Sequence, residues 1–516
     1  GDVYKRQVCI IMNGHRVATN GDIRLEATPG QWQPVPKQLD RKLGDNSITA
    51  TLCYPDSSRH LTGFNPMIYP DLHLIYTVNV ESKGKNIEVT VDLDRPIPQE
   101  FIGKVGFNLE FFPGSLFGKP WIMDGQSGIF PQQPNSPLMT TQPNYLHTGN
   151  YHDGKKSLAD MDKLIGKGYS PIVADDIISE PYAKGTKFTS RPDDPYNKVT
   201  IESLSGDLQL FDGRMNHNNG WFVLRSNIKP GVTKGAVKWI ITPNVVADWM
   251  YQPVIQTSQI GYHPTQDKEA VIEMDIRDNR KETAQIIRID ADGEKVVKNV
   301  TPANWGKFLR YNYLKVNFTD VKEPGLYKIK YNTSVSPIFR IDNDVYARGV
   351  WQPVLEYFLP VQMCHMRVNE KYRVWHDCCH MDDAQMAPAH NHIDGYDQKE
   401  GLSKFKPGEV VPGVNIGGWH DAGDFDLRIE SQAGESYILA LAYEAFHPNL
   451  DVTSIDQINR VTEIHQPDGK NDLLQQVENG ALTVVNGYLA LGRLYRGIIC
   501  NDLRQYVLLG DAAAMT

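Results

Sequence analysis

The hydrophobic pattern changes its period near residue 345, and this change constrains the fold most strongly. Before this point, short runs alternate apolar and polar residues, as β-strands with one buried face do. Two such runs are Leu72, Leu74, Tyr76, Val78, Val80 and Ile87, Val89, Val91, Leu93. Gly84 between them predicts the turn of a hairpin. Beyond residue 345, apolar residues recur every three or four positions, which predicts helices.

The 516 residues are too many for one hydrophobic core, so the chain is predicted to be multidomain. Residues 1–250 have short alternating runs between Pro, Gly, Asn and Asp, which predicts a β-sandwich of jelly-roll or larger type. About seven short strands in residues 251–344 indicate a smaller, immunoglobulin-like sandwich. Residues 345–516 are predicted to be all-α.

Apolar stripes mark two of the predicted helices, and such stripes are typical of helices that bury one face. The stripes are Ile429, Ala433, Tyr437, Leu441 and Leu474, Val477, Ala481, Val485, Tyr488. An earlier helix is predicted to begin near Val350. Asp472 and Gln475, three residues later, resemble a capping box at the start of the last helix.

Composition excludes some classes of partner. The net charge is −9 and no basic block is present, which argues against nucleic acid as a partner. No run of 18 apolar residues occurs, so no transmembrane segment is predicted. The six cysteines are too few for a disulfide scaffold.

The segment 417–426 reads Gly-Gly-Trp-His-Asp-Ala-Gly-Asp-Phe-Asp and holds three carboxylates within six residues. Asp421 and Asp424 are three apart, and Gly423 between them permits a tight turn. Such a turn can aim both carboxylates at a single water molecule, which the carboxylates can hold and deprotonate. Two other interpretations stay open, a helix N-terminus that favours Asp and a calcium loop. The D-x-[DN]-x-[DN]-G calcium pattern is absent.

Three segments in the same order resemble glycoside hydrolase family 9, the cellulase type. Residues 421–424 resemble its D-A-G-D turn, residues 375–384 its upstream C-H-x-D-D-A segment, and residues 471–478 the helix that follows. The resemblance implies that residues 345–516 are the start of an (α/α)6 barrel. It also implies that residues 251–344 are the immunoglobulin-like module that precedes the catalytic domain in some members.

The resemblance implies inverting hydrolysis of β-1,4-glucosidic bonds in cellulose-like or xyloglucan-like polysaccharides. Asp424 corresponds to the catalytic base, and Asp421 to the partner that positions the water. An inverting pair stands ~6.5–9.5 Å apart, so two aspartates of one turn cannot be both acid and base. The family's general acid is a Glu near the end of the barrel, and no residue here matches it. We therefore expect a C-terminally truncated fragment that is inactive by itself.

The resemblance also suggests further site residues. Trp419, His420, Trp375 and Tyr396 are candidates for substrate binding, with bracing of the loop as the alternative for the two tryptophans.

Three residues match zinc ligands found in some family members, namely Cys364, Cys379 and His380. The fourth ligand should lie near Leu427, which cannot coordinate a metal, and structural zinc takes four ligands. A replacement could come from His365, His376, Cys378 or His420. Packed thiols and a Cys364–Cys379 disulfide are the alternatives to zinc. No cofactor is required for the chemistry, although a structural zinc or calcium is compatible with the sequence.

The expected partner is a β-glucan polysaccharide or oligosaccharide. The expected location is secreted, periplasmic or on a bacterial cell surface, with the export signal outside this chain. The alternative hypothesis is a non-catalytic glycan-binding or surface-display protein that uses its β-domains.

Overall fold

The chain forms two compact units in the computed structural model, one mainly Gly1–Val246 and one built from Ala247–His392 and Tyr396–Ile499. The structure describes residues 8–25, 35–58, 72–134, 138–140, 177–215, 220–357, 359, 362–381, 384–387, 392–393, 396–397, 401, 403–421 and 426–498. Within these ranges, no helix is both long enough and apolar enough to cross a membrane.

The first unit is a sandwich of two antiparallel sheets. The six-stranded sheet has the order Val8–Met12, His15–Leu25, Val105–Phe111, Phe222–Asn227, Leu208–Asp212, Ala183–Gly185. The nine-stranded sheet has the order Lys37–Leu43, Ser47–Tyr54, Leu74–Lys83, Asn86–Leu93, Val237–Pro243, Val199–Ser203, Lys187–Ser190, Pro120–Met123, Gln126–Ile129. The described residues of this unit also include the strand pair Leu138–Thr140 and Ile177–Ser179, and short 3₁₀ helices at Gln99–Phe101, Pro113–Ser115 and Gly213–Met215.

One hydrophobic core joins the two sheets of this sandwich. Phe107 from the smaller sheet meets Trp239 from the larger edge to face, with ring centroids 5.1 Å apart. The predicted hairpin is confirmed, because Leu74–Lys83 pairs antiparallel with Asn86–Leu93 across a two-residue turn. Gly84 occupies the first turn position with φ +65°, a conformation that favours glycine.

The immunoglobulin-like part of the second unit is also a two-sheet sandwich with its own core. One sheet has the order Val254–Gln256, Glu269–Asp275, Tyr311–Asn317, Ala303–Phe308. The other has the order Gly293–Val300, Ala284–Asp290, Gly325–Tyr331, Ser334–Val335, and Phe339–Ile341 also pairs with Gly325–Tyr331. The hydroxyl of buried Tyr327 donates to the carbonyl of Glu323 at 2.8 Å, in the manner of a tyrosine corner.

The remainder of the second unit mixes helices with short strands, although we predicted an all-α part. Its α-helices in the described residues are α1 (Gln352–Tyr357), α2 (Ile429–Phe446) and α3 (Asp472–Leu491). A small sheet has the order Arg373–His376, Arg367–Glu370, Val461–Ile464, Thr453–Asp456, and Leu427–Arg428 pairs with Gly497–Ile498. The short strands His392–Ile393 and Tyr396–Asp397 form a separate pair. The predicted start of an (α/α)6 barrel is therefore not confirmed.

The apolar stripes of α2 and α3 lie largely on exposed faces, contrary to what their spacing suggested. Tyr437, Leu441, Leu474, Val485 and Tyr488 are all exposed. Beyond Ile429 and Leu473 near the helix starts, the buried residues are polar or small, and comprise Gln432, Ser436, Asp472, Gln475, Gln476, Asn479, Gly480, Thr483 and Gly487. A β-carbon at Gly480 would lie 2.3 Å from Ser436 Oγ, so the two helices approach too closely for larger side chains.

The predicted capping box at α3 is wrong. Asn471 is the N-cap, and its side chain accepts a hydrogen bond from the backbone N–H two residues later. Asp472 lies inside the first turn, where it is buried and accepts the backbone N–H groups of Val452 and Thr453 at 3.1 and 3.3 Å. Burial raises the pKa of Asp472 to about 6.

Candidate active site and metal centre

The turn that precedes Asp421 is held from beneath by amide side chains of α2 and α3. Trp419 is fully buried, and its indole Nε1–H donates to Gln476 Oε1 at 2.9 Å. Gln432 accepts the backbone N–H of Trp419 at 2.8 Å and donates to its carbonyl at 2.9 Å. This placement favours the bracing interpretation of Trp419 over substrate binding, since no face of the ring is open to a sugar.

The two glycines of the turn permit a close approach to α3. Gly418 N–H donates to the carbonyl of Asn479 at 2.9 Å, and Asn479 Nδ2 returns a bond to the carbonyl of Gly418 at 3.1 Å. Gly417 has φ +72°, and a β-carbon there would lie 2.3 Å from the carbonyl oxygen of Asn479. The Gly-Gly pair is therefore required by packing as well as by backbone conformation.

Asp421 stands at the end of this turn with its side chain 31% exposed. Its Oδ1 accepts from the hydroxyl of Ser431 at 2.8 Å, and its Oδ2 lies 3.2 Å from Arg428 Nε. A carboxylate has about four lone-pair sites, so Asp421 retains capacity to accept from a water molecule. Asp424, the predicted base, lies outside the described residues.

Arg428 also binds a second carboxylate of the motif. Its Nη2 donates to Asp426 Oδ2 at 2.7 Å, and the Asp426 side chain is only 2% exposed. The planar guanidinium therefore fixes Asp421 and Asp426 together. The ion pairs of Arg428 with Asp421 and Asp426 therefore stabilise the described part of the turn.

Glu435 on α2 is a carboxylic acid near Asp421. Burial and the charge of Asp421 together raise the pKa of Glu435. Glu435 lies one turn of α2 after Ser431, which contacts Asp421.

Two of the other substrate-binding candidates, Trp375 and His420, lie in different surroundings. Trp375 is 44% exposed on a strand of the small sheet, where it donates to Glu370 Oε2 at 3.1 Å. The guanidinium of Arg373 lies 5.1 Å from the centre of its ring. Tyr396 lies in the short strand Tyr396–Asp397, and its side chain is outside the described part of the structure. His420 is buried and belongs to a different cluster.

That cluster comprises Cys364, Cys379, His380 and His420, whose potential ligand atoms all lie within 4.8 Å of one another. The structure thus brings the three predicted zinc ligands together and adds His420. The measured contacts are Cys364 Sγ to Cys379 Sγ at 3.6 Å, Cys364 Sγ to His380 Nδ1 at 3.1 Å, and Cys379 Sγ to His420 Nε2 at 3.4 Å. Cys364 and Cys379 are not disulfide-bonded.

The four residues fit a zinc ion. Zn–S bonds of about 2.3 Å and Zn–N bonds of about 2.0–2.1 Å in a tetrahedron place neighbouring donors about 3.3–3.8 Å apart. The contacts of the cluster fall close to this range. The hydrogen bond with Cys364, together with those to His380 and His420, holds the pKa of Cys379 well below its usual value, as a thiolate ligand requires.

The remaining candidates for a fourth ligand lie elsewhere. Cys378 Sγ is 3.9 Å from the carbonyl of Arg460, and His376 Nδ1 is 3.0 Å from the carbonyl of Asp377. His365 is fully buried with Nδ1 2.8 Å from the carbonyl of Gly417. Burial lowers the pKa of His365 to about 4, so this imidazole is neutral and donates to the turn.

Comparison with known families gives one decisive match. Residues 250–336 match the model of the cellulase N-terminal immunoglobulin-like domain. The chain contains a cellulase-type immunoglobulin-like domain. The predicted resemblance to family 9 cellulases is thereby confirmed at this domain. A comparison with curated proteins gave no match.

Solved structures of family 9 proteins are similar over part of their length. A zinc-binding triple mutant of the family 9 endoglucanase J30 is 23% identical with a TM-score of 0.36, covering 46% of this chain and 40% of that one. A family 9 protein of Bacteroides ovatus is 21% identical with a TM-score of 0.35, covering 47% and 41%. The chain therefore spans about 40% of the length of these proteins.

The cellulase-type immunoglobulin-like domain continues directly into the residues that precede α1. Its last strand is Phe339–Ile341, after which Asp342 N–H donates to the carbonyl of Tyr262 at 3.1 Å. The hydroxyl of Tyr346 then donates to Gln266 Oε1 at 2.6 Å. These bonds attach the connection between domain and α1 to the domain itself.

Proposed function

We propose that this chain belongs to a cellulase-family enzyme that hydrolyses β-1,4-glucosidic bonds of cellulose-like or xyloglucan-like polysaccharides with inversion. The observation that carries the proposal is the partly exposed carboxylate of Asp421, oriented by Ser431 and Arg428 at the end of a buried turn. Because polymers of this kind do not enter cells, we propose that the enzyme is exported.

The proposed role of Asp421 is to hold the attacking water. The hydrogen bond from Ser431 and the ion pair with Arg428 engage one carboxylate oxygen each and fix the orientation of the group. The remaining lone pairs accept a hydrogen of the water, whose oxygen then faces the anomeric carbon of the sugar. Preorganisation of this kind lowers the barrier because the water needs no reorientation in the transition state.

Asp424 is proposed to take the second proton of this water as the general base. The water oxygen bonds to the anomeric carbon while the bond to the glycosidic oxygen breaks. A separate carboxylic acid protonates the leaving oxygen, and in inverting enzymes it stands ~6.5–9.5 Å from the base. Asp421 cannot be that acid, because it belongs to the same turn as the base and contacts the same water.

The test is hydrolysis of soluble β-glucan by the protein that carries this chain at its natural length. Asp424→Asn should lower kcat by about 10²–10⁴-fold, the usual contribution of a general base, and should retain oligosaccharide binding. Glu430→Gln is the control, because Glu430 is an exposed carboxylate on α2 paired with Arg496. Nuclear magnetic resonance of the first product should show the inverted anomer.

Three outcomes would overturn the proposal. These are unchanged turnover in Asp424→Asn, a retained anomer, or loss of binding together with unfolding in that variant. The last outcome would support the alternative in which the aspartates only cap a helix or hold calcium. A natural-length protein that binds glucan tightly and never cleaves it would support a non-catalytic binding protein.

A further inference from the structure

We propose that the immunoglobulin-like domain carries a glycan-binding face of its own, which takes a single neutral polysaccharide chain. The face is the outer side of the sheet that contains the strand Tyr311–Asn317. Only the identity of the polymer, a β-linked glucan, rests on the proposed function. The capacity to bind a glycan is argued from the aromatic and polar side chains of the sheet.

Five aromatic side chains form a continuous row on this face, which we call the aromatic strip. In order along the row they are Trp249, Tyr251, Tyr311, Tyr313 and Trp305. Successive ring centroids lie 6.5, 5.1, 6.1 and 5.6 Å apart. Trp305 is 56% exposed and the other four are partly exposed. A soluble domain that places so much aromatic surface outside its core marks an interaction site.

The sheet turns these rings outward in two ways. The strand Tyr311–Asn317 buries alternate residues beginning with Asn312, so both of its tyrosines lie on the outer side. Its pairing with the neighbouring strand shifts register between Asn304 and Gly306, so Trp305 is the extra residue of a β-bulge. Gly306 has φ +124°, a conformation that favours glycine. Bulges re-aim side chains, and this one brings the indole to the end of the strip.

A carboxylate lies among the rings and holds two of their hydroxyl groups. The hydroxyl of Tyr251 donates to Glu273 Oε1 at 2.9 Å, and the hydroxyl of Tyr313 donates to Glu273 Oε2 at 3.2 Å. A carboxylate has about four lone-pair sites, so Glu273 retains capacity to accept from further hydroxyl groups. Aromatic rings with a few fixed polar groups are typical of small-molecule and sugar sites, because a pyranose has an apolar C–H face and a rim of hydroxyls.

The charges beside the rings favour a neutral ligand. Lys315 Nζ lies 2.7 Å from Glu269 Oε2, and Arg277 Nε lies 2.9 Å from Asp275 Oδ1. The hydroxyls that engage Glu273 are neutral, so its negative charge stays in the middle of the strip. An anionic polymer such as nucleic acid would bring its own charge beside this carboxylate, and such like-charge contacts oppose binding. A neutral polysaccharide avoids this cost.

The angles between the rings define the form of the polymer. The planes of Tyr251 and Tyr311 are inclined by 51°, those of Tyr311 and Tyr313 by 70°, and those of Tyr313 and Trp305 by 89°. Rings turned so far from a common plane cannot all lie flat on a crystalline surface, whereas a single chain can follow them. We therefore expect the strip to bind soluble glucan and to leave adsorption to crystalline cellulose unchanged.

The test is calorimetric titration of cellohexaose into the protein that carries this chain at its natural length. Every protein tested also carries Asp424→Asn, so that the sugar is not consumed. We expect two binding events, of which Trp305→Ala weakens one about tenfold, as loss of one well-packed aromatic contact does. If the proposed hydrolytic site is wrong, a single event remains and Trp305→Ala still weakens it.

A matched control and a second variant accompany Trp305→Ala. Leu326→Ala removes a 46% exposed apolar side chain from the opposite sheet of the same domain and should bind as the parent does. Tyr311→Ala removes the central ring and should weaken the same event as Trp305→Ala, which keeps the test informative if one variant does not fold.

Three outcomes would overturn the proposal. The first is that neither ring variant changes cellohexaose binding. The second is that Trp305→Ala lowers adsorption to crystalline cellulose, which would indicate a flat platform. The third is that Trp305→Ala leaves sugar binding intact but changes the oligomeric state in analytical ultracentrifugation, because a second protein copy would then cover the strip.

Discussion

The Nε atom of Arg428 lies 3.2 Å from Oδ2 of Asp421, and the Nη2 atom of the same guanidinium lies 2.7 Å from Oδ2 of buried Asp426. One cation therefore sets the orientation of two carboxylates in the same turn. A lysine could not do this, because it carries a single point of charge and no planar fork.

Arg428→Met should destabilise the second unit by about 3 kcal/mol, because Asp426 would keep its buried charge and lose this cation. Arg496→Met is the matched control. Its partner Glu430 is 53% exposed, so the expected loss is below about 1 kcal/mol. Thermal unfolding followed by circular dichroism checks both variants, and equal losses would contradict the prediction.

Two helical glycines should respond in opposite directions to substitution by alanine. Gly480→Ala would place a β-carbon 2.3 Å from both Ser436 and the Trp419 ring, so we expect destabilisation by about 1–3 kcal/mol. Gly434→Ala meets no atom within 4 Å on α2 and should stabilise by about 0.5–1 kcal/mol through helix propensity. Denaturant unfolding of each variant measures the difference, and effects of the same sign would show that α2 and α3 pack differently.

Asp472 should make stability depend on pH in an unusual direction. Its pKa is raised to about 6 by burial, against about 3.9 in an unfolded chain, so the folded state holds the proton more tightly. The contribution to stability is complete below about pH 4 and is lost as pH rises through about 6, by up to about 3 kcal/mol.

Asp472→Asn cannot ionise, so its unfolding free energy should lack this fall. The amide oxygen can still accept the N–H groups of Val452 and Thr453. Unfolding of both proteins between pH 4 and 7.5 gives the comparison. Parallel curves for wild type and variant would refute the assignment.

Tyr327→Phe should destabilise the immunoglobulin-like domain by about 1 kcal/mol, because the carbonyl of Glu323 loses a hydrogen-bond donor. Tyr311→Phe is a control within the same domain, since no side-chain hydrogen bond of Tyr311 is found in the described part of the chain. Thermal unfolding of this domain measures both changes. An equal effect of the two substitutions would mean that the Tyr327 hydroxyl contributes nothing.

Local patterns predicted local structure well. The hairpin with Gly84 at its turn was predictable because period and turn chemistry act over a few residues. The existence of α2 and α3 was predictable for the same reason, but their buried faces were not. Those faces are chosen by nonlocal needs, such as the amide of Gln432 that bonds the backbone of Trp419.

The candidate metal ligands also divide into those that a local sequence motif indicates and one that depends on nonlocal pairing. Cys364, Cys379 and His380 could be named from motif resemblance, whereas the position of His420 depends on pairing between segments that are distant in sequence. Spacing alone could not select His420 over His365, His376 or Cys378. The burial of Leu427 could not be predicted from the sequence either, because it depends on the residues that pack around it in the folded core.

The amide bonds from Gln432, Gln476 and Asn479 to the turn have a consequence for cooperativity. Opening the turn would leave amide groups on both helices without these hydrogen-bond partners. Separating the helices would leave polar groups of the turn without theirs. Hydrogen exchange at Gly418 and Trp419 should therefore follow the same opening event as the central amides of α2 and α3. A chimera that received this loop without its two helices would not preserve its shape.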